Sequence, residues 1–392
     1  MSTTLHDKVR LFDPELPLER ARTIPSLWYF DPEVYAAEVE AVFGSTWQLV
    51  GRLDQLPEAG SFFTAEIAGE PILVVRDQEG VLRAFHNVCR HRAARVMPDE
   101  AGKASKLRCR YHGWTYDLAG RLRGTPEFEG VADFRKEEQG LVQLDLDTWG
   151  ALVWVRQRRP VSPKTPKQTL PDFLSPLPEQ TAALGLESLH FAERRHYDIA
   201  CNWKVYVDNY LDGGYHVNTI HPGLAGVLDY AQYRTTIAGN TSVQLSPLRP
   251  PDPTHDDTSA ANVRGGDYAY YWWVFPNFMV NIYEGMMDTN LVLPLGPDRC
   301  RVIFDFYFAR TQGAAAQFIA DSIAVSHQIQ IEDLTICEEV QRGLASRSYS
   351  TGRFSVRREG AGYHFHRLLD RALQAEARRE AEPCAGGNCG QA

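Results

Sequence analysis

Short apolar runs separated by turn residues dominate the chain from about residue 47 to residue 157. They include the segments F-F-T-A-E-I, P-I-L-V-V-R, L-V-Q-L-D-L and A-L-V-W-V. Apolar runs of this length between clusters of Gly, Asp and Pro are typical of β-strands joined by tight turns. The pattern predicts a small all-β domain over residues 47–159.

A different pattern follows a Pro-rich segment, residues 160–178, which we interpret as a linker. The elements predicted beyond it are a helix over 203–216, aromatic strands over 268–294, a strand over 302–308 and two helices at the end. Strands followed by helices, without strict alternation, indicate an α+β domain with an antiparallel sheet.

The remaining segments complete the predicted domain organisation. Residues 160–380 form the second domain, and residues 381–392 form a flexible Gly-rich tail. The segment 1–46 contains an amphipathic stretch over 32–43, which predicts a helix that packs on the second domain. We therefore expect two folded domains, which agrees with a length of 392 residues.

The charge and the cysteine content exclude several classes of partner and compartment. A formal net charge of -9 argues against nucleic-acid binding, which needs a basic surface. The polar amino terminus lacks the apolar core of a secretory signal, and no apolar run reaches the roughly 20 residues needed to span a membrane. Seven cysteines, an odd number, argue against a disulfide framework. The sequence predicts a cytoplasmic protein that binds neither nucleic acid nor membranes.

Five of these cysteines have no strong motif around them. Cys201, Cys300 and Cys337 lie in apolar surroundings, so we interpret them as small buried hydrophobes. Cys384 and Cys389 lie in the tail, where metal binding is the weaker interpretation.

The other two cysteines form the most specific motif in the chain. Cys89, His91, Cys109 and His112 give the spacing C-x-H-x17-C-x2-H. Two thiolates and two imidazoles hold a two-iron, two-sulfide (2Fe-2S) cluster of Rieske type, in which histidines replace two cysteines on one iron. The spacing therefore predicts a centre that carries single electrons.

A structural zinc site is the alternative for the same four side chains, since zinc also accepts two Cys and two His. Zinc fingers usually pair Cys with Cys and His with His, whereas here both pairs are mixed. Gly113, Trp114 and Tyr116 follow the second pair. A glycine lets the backbone approach closely and aromatic rings exclude water, and both features tune a redox centre.

A second candidate metal site lies in the segment N-W-K-V-Y-V-D-N-Y-L-D-G-G-Y-H-V-N-T-I-H-P. His216 and His221 are five residues apart, so a regular helix would separate them by about 140 degrees. We expect the helix to end between them, because Pro222 pushes residue 221 towards an extended conformation. Each histidine alone is equally compatible with a buried, hydrogen-bonded imidazole.

Asp333 supplies the carboxylate that would complete a two-histidine, one-carboxylate site for iron(II). It shares the apolar stripe of a predicted helix with Ile336, Cys337, Val340 and Leu344. A charge on such a stripe costs several kcal/mol unless it is paired or binds a metal. A buried ion pair with an arginine is the alternative. Three acids lie off the stripe and are expected to be solvated: Glu332, Glu338 and Glu339.

Both motifs together resemble the Rieske non-haem iron oxygenases, catalytic (α) subunits, over nearly the whole chain. The matching strings are C-R-H, C-R-Y-H-G-W-T-Y-D-L-A-G-R-L, D-N-Y, H-V-N-T-I-H-P and I-E-D-L-T-I-C-E-E-V-Q-R-G-L. The resemblance implies a catalytic domain of helix-grip, lipid-transfer-like fold and a head-to-tail homotrimer. It also implies that O2 is the oxidant and that NAD(P)H supplies electrons through a separate flavin or iron-sulfur reductase.

The resemblance also assigns roles beside the iron, with one departure. In many members an acid three residues before the first histidine bridges the two metal centres, but Gly213 occupies that position here. Asp212, four residues before, lies on the same side of a helix and is our candidate for the bridge, with Asp208 as the fallback. Asn209 matches the asparagine beside the iron. The glycine pair suggests that backbone or substrate comes close.

The string D-N-Y-L-D-G-G-Y-H is similar to the choline monooxygenase-like branch, which oxidises quaternary ammonium compounds such as choline and betaines. Such a cation requires aromatic ring faces. In a strand, Tyr271, Trp273 and Phe275 point to one face, and Tyr270 and Trp272 to the other. We expect the first set to line the substrate pocket, although ordinary core packing explains it equally well. Glu284 could attract a cationic substrate. The pair Glu284-Gly285 is also typical of a hairpin turn, in which the glutamate would simply be exposed.

These observations predict an oxygenase that hydroxylates a small substrate, with a quaternary ammonium compound as the leading candidate. An aromatic-ring dioxygenase or an O-demethylase would use the same metals. A non-catalytic electron carrier or ligand-binding protein remains the alternative from another class. The reductase is expected to be separate because the chain lacks a G-x-G-x-x-G fingerprint.

Overall fold

The computed structural model describes residues 4–157, 168–250, 260–310 and 315–381. These residues form two compact units. One comprises residues 43–173, and the other comprises the described residues up to 42 together with those from 174 onward. Each unit has its own sheets, so the architecture is α+β, as predicted.

Strands are the main regular elements of the unit over residues 43–173, which confirms the predicted all-β architecture. Its strands are β1 Gln48–Arg52, β2 Ser61–Ile67, β3 Glu70–Arg76, β4 Leu82–His86, β5 Ala101–Lys103, β6 Leu107–Arg108, β7 Thr115–Tyr116, β8 Leu122–Gly124, β9 Asp145–Trp149 and β10 Leu152–Arg156. They form three antiparallel sheets with the orders β1-β10-β9, β4-β3-β2-β5 and β6-β7-β8.

Two loops of this unit have the same hydrogen-bond pattern. The first begins at Cys89, whose N–H donates to Ala94 O, while Ala93 N–H donates back to Cys89 O. The second begins at Cys109, whose N–H donates to Trp114 O, while Gly113 N–H donates back to Cys109 O. Both closing residues have positive φ, +57° at Ala93 and +74° at Gly113. The chain therefore makes the same tight turn twice, with a cysteine at each start.

The other unit contains one large antiparallel sheet, and its helices come before the first strand, between β11 and β12, and after the last strand in the sequence. Its strands are β11 His190–Ile199, β12 Arg234–Ala238, β13 Thr241–Pro247, β14 Tyr268–Val274, β15 Phe278–Tyr283, β16 Met286–Gly296 and β17 Arg299–Phe308, in the order β11-β17-β16-β15-β14-β13-β12. The antiparallel sheet predicted for this part of the chain is confirmed. Tyr283 pairs with Met286, so exposed Glu284 and Gly285 form a two-residue hairpin turn.

The helices of the described chain are mostly short, apart from the last two. They are α1 Leu5–Val9, α2 Pro32–Glu38, α3 Leu170–Leu174, α4 Leu177–Thr181, α5 Trp203–Tyr210, α6 Val217–Ile220, α7 Pro222–Ala225, α8 Ala315–Leu344 and α9 Gly360–Ala381. Helix α3 and the first two residues of α4 fall within the segment 160–178, which was predicted as a linker. Residues 160–167 of that segment lie outside the described residues, as do Cys384 and Cys389. None of the helices among the described residues is long and apolar enough to cross a membrane.

The helix predicted over residues 203–216 ends earlier than expected, at Tyr210. Gly213 and Gly214 both have φ +71°, a left-handed conformation that interrupts a helix. A Cβ on Gly213 would lie 2.2 Å from Arg358 O, so another backbone segment comes close at this point, as predicted. His216 and His221 consequently flank the one-turn helix α6 instead of lying at and beyond the end of a longer helix.

Helix α5 is fixed to α2 by a buried ion pair. Lys204 Nζ lies 2.6 Å from Glu38 Oε1, and both side chains are fully buried. Trp203 Nε1 donates to Glu38 Oε2 over 2.9 Å, so both carboxylate oxygens are satisfied. Asn202 caps α5 by accepting a hydrogen bond from Lys204 N–H. These contacts hold the helix that carries Asn209, and it also contacts β16, β17 and α8.

Candidate metal centres

The two equivalent loops bring the four residues of the C-x-H and C-x2-H pairs together. Cys89 and Cys109 belong to the buried core of their unit. The rings of His91 and His112 lie 4.6 Å apart, and His91 stacks on Trp114 at 4.9 Å. His91 Nδ1 is buried without a hydrogen-bond partner among the described residues. His91, Cys109 and His112 line one pocket, and a buried imidazole nitrogen without a partner in such a pocket fits a metal-cluster site.

The sequence predicts Tyr116 only as an aromatic residue that excludes water, whereas the structure places its hydroxyl beside Cys89. Its hydroxyl lies 3.5 Å from Cys89 Sγ and accepts a hydrogen bond from Arg90 N–H over 3.0 Å. Burial and the neighbouring thiol of Cys89 raise the pKa of Tyr116. Burial likewise raises the pKa of Cys109. The phenol therefore stays protonated and lies within reach of the Cys89 sulfur, and a contact of this kind tunes the potential of a cluster bound through such a sulfur.

The second centre combines His216, His221 and Asp333, as predicted from the helix patterns. One ligand atom from each lies within 4.8 Å of the other two. Asp333 Oδ1 lies 3.1 Å from His221 Nε2 and 3.7 Å from His216 Nε2. Asn209 Nδ2 donates to the same oxygen over 2.7 Å. Three converging donors of this type fit the facial arrangement that holds iron(II) and leaves positions free.

Each histidine of this centre is oriented by a second carboxylate. Asp212 Oδ2 lies 2.6 Å from His216 Nδ1 and also accepts the His216 backbone N–H. Glu332 Oε2 lies 2.7 Å from His221 Nδ1. Carboxylates on the distal nitrogen fix the tautomer that directs Nε2 to a metal. Burial lowers the pKa of His221, but Asp333 and Glu332 outweigh burial and raise it.

The expectation that Glu332 is solvated is therefore wrong. Glu332 lies beside the apolar stripe of α8, so its Cβ atom points away from the stripe. The side chain is nevertheless long enough for its carboxylate to reach His221. Asp208, the fallback for the bridging acid, accepts from Tyr29 OH over 2.5 Å and lies 2.8 Å from His366 Nε2. Asp212 alone of these two candidates contacts a histidine of the centre in the described structure.

Replacing Glu332 with alanine should weaken iron binding at His216, His221 and Asp333 by about 10- to 100-fold, because His221 loses the carboxylate that orients its ring. The measurement is an anaerobic iron(II) titration of the metal-depleted mononuclear site. Glu339→Ala is the matched control, since Glu339 lies on the same helix with its side chain 62 % exposed and paired with Arg342. Equal affinities of the two variants would contradict the role of Glu332.

A cavity opens beside this second centre, and six aromatic residues lie on its wall. The aromatic residues on the wall are Tyr206, Tyr210, Tyr233, Tyr271, Tyr283 and Phe304. The polar residues include Gln244, Arg264, Asn281, Asp288, Asn290, Ser326 and Gln330, together with the three metal-site residues. Sequence reasoning missed Arg264 and Asp288. Asp288 had one usable signal, a carboxylate inside the apolar strand M-M-D-T-N-L-V-L.

Only one of the three predicted pocket aromatics lies on this wall. Tyr271 does, with its hydroxyl 2.8 Å from Tyr283 OH. Trp273 packs against Phe365 of α9, with ring centroids 5.6 Å apart, and donates its Nε1–H to Pro276 O. Phe275 also contacts Phe365. The placement of Trp273 and Phe275 in the pocket is corrected, because the sheet face continues beyond the cavity and is covered there by α9.

Comparisons with known proteins agree with both centres. Residues 46–135 match the Rieske [2Fe-2S] domain, and residues 186–375 match the ring hydroxylating alpha subunit (catalytic domain). The chain is 41% identical over 370 residues to choline monooxygenase, chloroplastic, of Arabidopsis thaliana, covering 93% of this chain and 86% of that protein. It is 31% identical over 363 residues to the carnitine monooxygenase oxygenase subunit of Escherichia coli (strain K12), covering 90% and 94%.

Among solved structures, the chain is similar to a quaternary ammonium Rieske monooxygenase associated with carnitine oxidation. The TM-score is 0.79 at 27% identity, over 95% of this chain and 100% of that one. The match of the first unit to a 2Fe-2S domain argues against the zinc alternative, and the catalytic-domain match argues against a simple electron carrier. The chain therefore belongs to the Rieske non-haem iron oxygenases, as a catalytic α subunit.

Proposed function

We propose that this chain hydroxylates a quaternary ammonium compound with O2 and electrons from a separate reductase. The observation that carries the proposal is the tyrosine-rich cavity that opens directly onto His216, His221 and Asp333. Ring faces stabilise a desolvated cation by about 2 kcal/mol or more. Two similar proteins are named for choline and carnitine, which both carry a trimethylammonium group.

A buried carboxylate in the cavity supports a cationic ligand. Asp288 accepts hydrogen bonds from Asn281 Nδ2 and Asn290 Nδ2, over 2.7 and 3.0 Å. Burial raises the pKa of Asp288, while the charge of Arg264 and the two amide hydrogen bonds act in the opposite direction. Negative potential from Asp288 and the tyrosine faces together would favour a trimethylammonium group over a neutral isostere.

The metal ligands fit the cofactors of the family. The 2Fe-2S cluster would be held by Cys89, His91, Cys109 and His112. The mononuclear iron(II) would be held by His216, His221 and Asp333. When bound, these centres supply electrons and activate O2. The protein's own contribution is to orient the histidines through Asp212 and Glu332, to place Asn209 on Asp333 Oδ1, and to present the substrate from the cavity.

Asp212 is our candidate for the residue that links the two kinds of centre. Its carboxylate lies 2.6 Å from His216 Nδ1 while its side chain remains about 15 % exposed, so it reaches a metal ligand and the surface at once. We propose that a second copy of the chain supplies its cluster to this surface in a head-to-tail homotrimer. A molar mass of about three chains by light scattering is expected.

The proposed assignment of segments follows the predicted boundaries. Residues 47–159 would act as the cluster domain and residues 160–380 as the catalytic domain, with residues 1–46 packing on the latter. The segment 381–392, predicted as a tail, lies outside the described residues apart from its first residue. The buried contact between Glu38 and Lys204 supports the placement of the amino-terminal segment. A cytoplasmic location remains a prediction.

A substrate screen tests the proposed function. Purified protein with a surrogate reductase should oxidise NADH and consume O2 when glycine betaine, carnitine or choline is added. Each turnover uses two electrons, two protons and one O2, inserts one oxygen atom into a C–H bond and releases the other as water. Coupled turnover with aromatic compounds, and none with quaternary ammonium compounds, would favour the dioxygenase or O-demethylase alternative and contradict the proposal.

A further inference from the structure

Arg264 is a buried guanidinium on the wall of the substrate cavity. The residue is only 7 % exposed and lies in the loop that precedes β14. Its Nη2 donates to Ser326 Oγ over 2.7 Å, and its Cζ lies 4.9 Å from the centre of the Tyr283 ring. Its Nε is buried without a hydrogen-bond partner among the described residues. Part of its donor capacity is therefore unused inside the cavity.

The charge of Arg264 is also unpaired within the described part of the chain. Its Nη groups contact a serine hydroxyl and, at 3.6 Å, the sulfur of Met286. No carboxylate of the described residues comes within 4.0 Å of its nitrogens. Asp288 shares the cavity and lowers the electrostatic cost, but it is held by Asn281 and Asn290 instead. A buried, unpaired cation is costly, so a ligand that brought an anion here would be strongly favoured.

The position of Arg264 relative to the metal site follows from helix α8. Ser326, which holds the guanidinium, and Asp333 are seven residues apart on this helix. Seven residues correspond to two turns, so both side chains lie on one face, about 10 Å apart along the axis. Ile329 and Gln330 fill the cavity wall between them. The anion site and the metal site therefore lie at two ends of one stripe.

The length of this stripe matches a short zwitterion. A molecule with a carboxylate one methylene away from a trimethylammonium nitrogen spans about 5 Å from methyl carbon to carboxylate oxygen. A hydrogen bond of about 3 Å joins that oxygen to the guanidinium. These two lengths add up to about 8 Å, which is comparable with the roughly 10 Å between Ser326 and Asp333 along α8. A substrate of this length can therefore keep its carboxylate near Arg264 while a methyl group approaches His216, His221 and Asp333 in the same tyrosine-lined cavity.

We propose that Arg264 binds the carboxylate of a betaine-like substrate and that it makes the enzyme select zwitterions over choline-like cations. The inference rests on the proposed function and specifies its substrate class. A guanidinium forms paired, charge-assisted hydrogen bonds with a carboxylate. Choline offers a hydroxyl in place of the carboxylate and adds a second positive charge to the cavity, so it would leave Arg264 unpaired.

Anchoring of the carboxylate also determines which carbon reacts. With the carboxylate at Arg264, the N-methyl groups are the part of the substrate that faces His216, His221 and Asp333. Hydroxylation of a methyl carbon gives an N-hydroxymethyl ammonium ion. Its hydroxyl group then loses a proton to water as the C–N bond breaks, which releases formaldehyde and leaves the electron pair on a tertiary amine. The two electrons needed come from the reductase, as in the proposed function, and one oxygen atom of O2 leaves as water. The expected products from glycine betaine are dimethylglycine and formaldehyde.

Equilibrium binding to the full-length, metal-loaded protein tests the proposal without turnover. We expect calorimetry under anaerobic conditions to show tighter binding of glycine betaine than of choline. In Arg264→Gln, the affinity for glycine betaine should fall by about 30-fold or more, while the affinity for choline stays the same or rises. Arg301→Gln is the matched control, because Arg301 lies on β17 with its side chain partly exposed and paired with Asp198, and its replacement removes the same charge.

A second measurement avoids any dependence on how the variant folds. The methyl ester of glycine betaine keeps the cation and loses the negative charge, so it should bind the wild-type protein at least about 10-fold more weakly than glycine betaine. Equal binding of the acid and the ester, or an equal loss of choline and glycine betaine in Arg264→Gln, would overturn the role of Arg264. If neither compound, nor any other quaternary amine, bound the wild-type protein, the proposed function itself would fail.

Discussion

Replacing His216 with alanine should lower the iron content from about three atoms per chain to about two, and product formation should become undetectable. The mononuclear site then keeps only two of its three converging side chains, His221 and Asp333, whereas the two irons of the cluster depend on a separate ligand set in another part of the chain. The measurement is iron and acid-labile sulfide per chain, combined with the visible spectrum of the cluster.

His190→Ala provides the control for this experiment, because His190 is exposed at the start of β11. It should keep all of the iron and the wild-type turnover. The cluster spectrum should be the same in both variants, which separates local loss of iron from general misfolding. A His216→Ala protein that retained the third iron and still turned over would show that the mononuclear centre lies elsewhere.

Replacing Asp212 with asparagine should lower product formation by about 100-fold even when the variant is loaded with enough iron(II) to fill the mononuclear site. The change keeps the size of the side chain but removes the charge that faces His216 Nδ1 and that we propose to link the two centres. Stopped-flow spectroscopy should show that the reductase still reduces the cluster and that reoxidation of the cluster by O2 and substrate becomes slow.

Asp208→Asn separates the two candidates for this role. Asp208 is bound to Tyr29 OH and His366 Nε2 rather than to a ligand of the iron site. We expect this variant to transfer electrons faster than Asp212→Asn. The reverse order, with normal reoxidation in Asp212→Asn and slow reoxidation in Asp208→Asn, would assign the bridge to the fallback residue.

The sequence predicts the proposed cluster ligands and the proposed iron ligands for different reasons. Cys89 and His91 lie in a tight loop, so spacing alone places them together, and Cys109 and His112 repeat the arrangement. Asp333 is recognisable because a charge on an apolar stripe needs a partner. Helix periodicity did not predict the end of α5 at Tyr210. The positive φ of Gly213 and Gly214 prevents the helix from continuing to His216.

The substrate cavity was harder to predict because its position depends on tertiary packing. Strand alternation places Tyr271 and Trp273 on one face, but it does not show that α9 covers Trp273 through Phe365 while Tyr271 stays on the wall. Arg264 lies in a loop with no periodicity to orient it. Glu332 reaches His221 only because its side chain is long. The helical pattern predicts the direction of the Cβ atom alone, so it does not predict this contact.

A single-turnover reaction tests the central claim most directly, namely that this one chain supplies both an electron relay and an oxygen-activating metal site. Purified protein is reduced chemically, freed of reductant, and mixed with O2 and glycine betaine in the absence of any reductase. The account predicts that the cluster spectrum becomes oxidised and that formaldehyde forms at up to one molecule per mononuclear iron. A cluster that stayed reduced, or that was oxidised equally fast without substrate and gave no product, would contradict it.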